Sequence, residues 1–160
     1  MSVFNFWVFI LLFVFSTAVG RDVEKTEFYK AFSSTSEESI DAMLTKLGTE
    51  TESSLTHAYQ GALYMKKAEF VKGVGGKVKT FKKGAHLLEN EIKKNPDNAE
   101  YRFLRLAIQE HAPKILHYDK NLDEDKTAVT NGFTKFNASL KSVVTNYAKD
   151  SKILKESSLH

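Results

Sequence analysis

The chain has 160 residues, no cysteine and a formal net charge of +3 at pH 7. Without cysteine there is no disulfide framework and no lipid-carrying cysteine, so the fold must be held by a packed apolar core. The basic excess is slight, and the interleaved arginines and aromatics of a strand-binding surface are missing, so nucleic acid is not an expected partner.

Residues 3–15 are apolar except for Asn5, and Ala18 and Gly20 supply the small residues that a signal peptidase accepts. Residues 1–20 read as an export signal cleaved between Gly20 and Arg21, with Ala18 as the alternative site. The apolar run is shorter than the ~20 residues a span needs, so cleavage is preferred over a retained anchor and no transmembrane segment is expected afterwards. The expected location is the periplasm or outside the cell. An exported chain of this size without cystines points to a bacterial envelope or secreted protein. Residues 21–150 have the length for a single α-helical domain, and the polar tail 151–160 is expected to fray.

Val23, Phe28, Tyr29 and Phe32 mark a short first helix from Asp22 to Phe32. Thr35 with Glu38 reads as a capping box before Ile40, Met43, Leu44 and Leu47, and Gly48 as a left-handed end to that helix. Ser53-Ser54 starts a third helix carrying Leu55, Ala58, Tyr59, Ala62, Met65 and Phe70, expected to run to about Lys72. Gly73-Val74-Gly75-Gly76 reads as a flexible turn. It is not a phosphate loop, because no strand precedes it and Lys77 is followed by Val78.

Val78, Phe81, Ala85, Leu88 and Ile92 step by three and four and define one face of a fourth helix, ended by Asn95-Pro96. Asp97 or Asn98 can cap the next helix, Ala99 to about His111. That helix is apolar on two sides, through Tyr101, Leu104, Ala107 and Ile108 and through Phe103 and Leu106, which places it at the centre of the fold. Ala112-Pro113 stops it. The connector to Asn121 is expected to bury Ile115, Leu116 and Tyr118. A last helix begins near Leu122, after a cap at Asn121 and over an acidic first turn, and carries the stripe Val129, Phe133, Phe136, Leu140, Val143 and Tyr147. No segment alternates with period two.

Lys66 to Lys94 concentrates the lysines. The plain reading is a solvated face, and the sharper one a surface for an anionic partner. The three arginines are Arg21, Arg102 and Arg105, the last two inside the central helix. A planar guanidinium holds a carboxylate with two parallel bonds, which an ammonium cannot do. Arg102, Arg105, Glu110, His111, Asp119, Glu124 and Asp125 are the polar residues expected to converge, with Tyr118 nearby. Two readings compete. In one, Arg102 or Arg105 clasps Glu124 or Asp125 and docks the last helix; in the other, the same arginines with His111 and Tyr118 form a small-anion or peptide-terminus site. No histidine pair has the spacing of a helical zinc site, and no serine sits in a nucleophile elbow. No catalytic, metal or cofactor site is identified.

The order helix, turn, helix, Asn95-Pro96-Asp97-Asn98, helix, with Gly84 and Leu88, resembles the junction between tetratricopeptide-type repeats. This implies antiparallel hairpins stacked side by side. The run Ala99-Glu100-Tyr101-Arg102-Phe103-Leu104-Arg105-Leu106, followed by Ala112-Pro113, Leu116, Tyr118 and Glu124-Asp125-Lys126, resembles a group of small, uncharacterised exported helical bacterial proteins. That resemblance implies a family and no activity. The expectation is an all-α fold of five or six helices in antiparallel hairpins with tetratricopeptide-like stacking. The expected role is a non-enzymatic binding or scaffolding module for another envelope or secreted protein. The alternative is an enzymatic or small-ligand site around Arg102, Arg105, His111 and Tyr118.

Overall fold

The computed structural model describes the backbone from Thr17 to His160 and the side chains from Lys25 onward. The apolar segment 3–15 of the expected export signal, and the Arg21 side chain at the expected Gly20–Arg21 cleavage point, lie outside the described residues. Within them the fold is all-α. Seven helices follow in order: α1 (Thr17–Phe32), α2 (Glu37–Thr49), α3 (Ser54–Lys67), α4 (Val74–Lys94), α5 (Ala99–His111), α6 (Leu122–Gly132) and α7 (Ala138–Asp150). Short 3-10 turns occupy Lys114–Leu116, Phe133–Lys135 and Glu156–Ser158.

Seven helices form where five or six were expected, because the last one breaks. A Cβ on Gly132 would sit 2.3 Å from the Cβ of Ala99, so the glycine lets α6 press onto the start of α5. The chain then turns through Phe133–Lys135, and the Asn137 side chain accepts the Leu140 N–H to start α7 afresh. The expected stripe therefore divides. Val129 and Leu140 are buried, α7 adds Val144 and Ala148, and Phe133, Phe136, Val143 and Tyr147 are half-buried.

The tightest pairing is the antiparallel hairpin of α3 and α4. Asn95 reaches Ser54, Glu91 lies by His57, and farther along Gly61 meets Leu88 and Gly84 meets Met65. A Cβ on Gly61 would stand 2.7 Å from the Leu88 amide nitrogen, and one on Gly84 would stand 2.5 Å from the Gly61 carbonyl oxygen. The two backbones approach this closely only because neither residue has a side chain. α5 and α6 form the second hairpin. α1 packs on α2, α3 and α7, so the first and last helices meet. A tetratricopeptide-like array, where each unit touches only its neighbours, lacks that closure.

Several local expectations shift. The cap of α2 is Ser36, one residue after Thr35, and its hydroxyl accepts the Ser39 N–H. Gly48 lies inside α2, which ends at Thr49 with Glu50 following in extended backbone. α3 stops at Lys67, short of Lys72. Within the glycine run Gly73 alone has a positive φ, 75°, and Val74, Gly75 and Gly76 already form the first turn of α4. Asn98, not Asp97, caps α5, accepting the N–H groups of Glu100 and Tyr101. Asn121 holds the N-cap position of α6 as expected, but its side chain makes no cap bond and its amide donates to Glu124 instead. Ile115, expected in the core, is 82% exposed. The tail does not fray at Ser151. That hydroxyl accepts the N–H groups of Ile153 and Leu154, and Leu154 is fully buried.

Candidate functional site

α5 is buried on every side, and its polar residues are met from three directions. Asp125, the fully buried acid of α6, receives Arg105 through two parallel bonds of 2.7 Å, from Nε to Oδ2 and from an Nη to Oδ1. Gln109 donates to Oδ2 at 2.9 Å and Arg102 to Oδ1 at 3.2 Å. Arg102 also pairs with Glu124 at 2.7 Å and donates to the Pro96 carbonyl. The remaining Nη of Arg105 meets Glu89 of α4, whose other oxygen accepts the Tyr118 hydroxyl. Burial opposes the charge on Arg105, but bonds to Asp125 and the nearby Glu89 outweigh it and hold the guanidinium above its ordinary range. Burial next to Glu89 pushes the Tyr118 phenol well up. A bond from Asn121, then the Arg102 guanidinium, keeps Glu124 below the usual carboxylate range.

The residues expected to converge therefore separate into two groups. Arg102, Arg105, Glu124 and Asp125 come together, with Tyr118 joined through Glu89. His111, Glu110 and Asp119 do not join them. Sequence reasoning missed Glu89 and Gln109. Gln109 lies one turn beyond Arg105 on the same helix face, a spacing that could have flagged it. Glu89 resembled any charge on a lysine-rich helix.

Two further carboxylates, the buried Glu100 and the half-buried Glu110, tie the fold together. Glu100 accepts Tyr59 at 2.5 Å, Lys25 at 2.6 Å and Tyr29 at 3.2 Å, joining α1, α3 and α5. Glu110 accepts the hydroxyls of Tyr147 and Ser151 and the Lys152 N–H, fastening α7 and the tail to α5. Burial raises Glu110, but those three donors outweigh it and leave it below the usual range. Burial and the facing carboxylates raise the Tyr29 and Tyr147 phenols.

A cleft of about 850 Å³ opens between α1, α4, α5, α7 and the connector after α5. Its floor is Tyr29, Phe103, Ala107 and Ile108. Its walls include Phe81, Val143 and Tyr147. Both tyrosine hydroxyls are committed to Glu100 and Glu110, so the cleft sees their rings. His111, at its edge, donates from Nδ1 to the Ala107 carbonyl. Among the described residues the two large apolar side chains left exposed are Val74, at 77%, and Ile115, at 82%, and both border this cleft. Single exposed apolar residues need no explanation, whereas two at one apolar opening do. Lys30, Lys66 and Lys77 stand around it with one acid, Glu69.

The lysines from Lys66 to Lys94 do not form one free surface. Lys67 pairs with Asp41 and Lys94 with Glu91, and Lys83 lies over the Tyr64 ring, while Lys72, Lys79, Lys82 and Lys93 carry no ion pair among the described residues. Among the described residues no group of three acids or histidines is placed to hold a metal, and no helix is long and apolar enough to cross a membrane. Comparison with protein-family models, with curated proteins and with solved structures finds no match to this chain.

Proposed function

We propose that this protein is a non-enzymatic binding module, exported to the envelope or beyond, that takes one elongated apolar molecule into the cleft between α1, α4, α5 and α7. The observation that carries the reading is the pairing of an apolar cleft with the exposed Val74 and Ile115 at its border. Burying them under a ligand removes the cost of leaving them in water. A volume near 850 Å³ is within the range of sites that enclose small molecules. A cleft whose nearby hydroxyls are already bonded offers a polar substrate little to recognise and an apolar chain a dry wall.

The alternative, a ligand or catalytic site on Arg102, Arg105, His111 and Tyr118, has less in its favour. Asp125 and Glu89 already hold the Arg105 fork, and His111 belongs to the cleft rather than to the arginines. The test is titration of the full chain with N-phenyl-1-naphthylamine, an uncharged dye that brightens in apolar surroundings. The expected result is saturable uptake at one site, abolished in Val143→Trp, which fills the cleft, with cooperative unfolding retained. Equal uptake by a folded Val143→Trp variant contradicts the reading.

A further inference from the structure

The charge around the cleft is one-sided. Lys66 lies a loose 3.9 Å from Glu69. Lys77 donates to the Glu69 backbone carbonyl at 2.8 Å, a bond that leaves its charge without a carboxylate partner. Lys30 carries no ion pair among the described residues. The rim thus offers three cations against one acid. The carboxylates behind the floor, Glu100 and Glu110, are consumed by their own donors.

The polarity also runs in order along one helix. Val74, Lys77, Val78 and Phe81 of α4 are spaced by three, one and three, so they share a face. Along it, exposure falls from Val74 through the half-buried Val78 to the buried Phe81. A molecule entering over this face meets a cation and exposed apolar surface first and aromatic rings last. That sequence of surfaces matches a molecule with a charged end and a long apolar tail.

Resting on the reading of the cleft given above, we propose that its occupant is a single-chain anionic amphiphile. Its head group lies among Lys30, Lys66 and Lys77, and its tail runs past Phe81 onto Phe103 and Ala107. The head attracts through charges at the water boundary, where salt screens them. The tail supplies affinity by leaving water, about fourfold in Kd for each methylene enclosed.

The experiment is displacement of N-phenyl-1-naphthylamine from the full chain by three molecules sharing one tail: palmitate, hexadecanol and hexadecyltrimethylammonium. All are used below their micelle thresholds. The expected order is palmitate first, at about tenfold lower concentration than hexadecanol, and the cation last. The double variant Lys30→Glu/Lys77→Glu is expected to abolish the palmitate advantage while leaving hexadecanol within about twofold of its original value. Failure of the dye to bind at all removes the underlying reading of the cleft. Dye binding with equal displacement by palmitate and hexadecanol overturns only the anionic head. So does an unchanged palmitate advantage in the double variant. Dye uptake seen only after removal of residues 1–20 assigns the cleft to the chain's own leading segment and overturns the inference.

Discussion

Asp125 shows what one side chain can hold. It has no contact with water, and its two oxygens take four bonds from Arg102, Arg105 and Gln109. Breaking a buried ion pair by removing one partner costs about 3–5 kcal/mol, because the other charge is left in a poor solvent. Asp125→Asn is expected to lower unfolding free energy by about that amount in urea titrations, with the slope unchanged. Glu124, more than half exposed, shares only Arg102 closely, and Glu124→Gln is expected to cost less than about 1 kcal/mol. Equal effects of the two substitutions would mean the buried acid carries no special weight. Part of this cluster is readable in the sequence, because a chain rich in lysine reserves arginine for its central helix. Glu89 is not readable: nothing in the linear order says that this one acid of α4 faces α5.

At the scale of helices, the glycines divide by environment. Gly61 and Gly84 sit where α3 and α4 touch backbone to backbone, so Gly61→Ala or Gly84→Ala drives a methyl into main-chain atoms. Gly48 is also helical, but its Cβ position is open. Gly48→Ala is expected to stabilise by about 1 kcal/mol, the difference in helix propensity. Gly61→Ala and Gly84→Ala should destabilise despite the same propensity gain. Thermal melts of the three variants check this, and a stabilised Gly84→Ala contradicts the close crossing. Helix existence was largely legible, since three-and-four spacing is a strong local signal. The break at Gly132 was not, because the Ala99 that presses on Gly132 belongs to another helix, and in the sequence the three-and-four spacing of Val129 to Tyr147 runs on across it. The start of α4 at Val74 was missed for a related reason: glycines that read as a turn are carried as helix once Gly73 alone makes the bend.

Over the whole molecule, buried phenols and paired carboxylates set the limits of stability in pH. Burial pushes Tyr101 up to about 12, and it pushes Tyr29, Tyr118 and Tyr147 up as well. In the unfolded chain these groups lose protons near pH 10, so above that point unfolding releases protons and stability falls as pH rises. Glu91 and Glu110 move the other way: burial opposes their charge, but Lys94 for the first and Ser151 and Tyr147 for the second outweigh it. Their contribution is present above the usual carboxylate range and is lost as pH falls through it. Denaturation midpoints measured from pH 3 to 12 should therefore form a plateau between about pH 5 and 9 with losses on both sides. A midpoint that keeps rising beyond pH 10 contradicts the buried tyrosines. The cleft is the feature least legible from the chain, because its floor, walls and border come from separate elements, and Ile115 reads as core in any local window.

The most direct test of the account is a methyl-resolved NMR titration of the full chain with palmitate. The account predicts that Val74, Val78, Ile108, Ile115 and Val143 shift together and saturate, while Val129, beside the Arg105–Asp125 pair on α6, and Leu154 stay in place. Shifts centred on Val129 and Leu122, with the cleft methyls unmoved, would contradict it and return the binding site to the arginines.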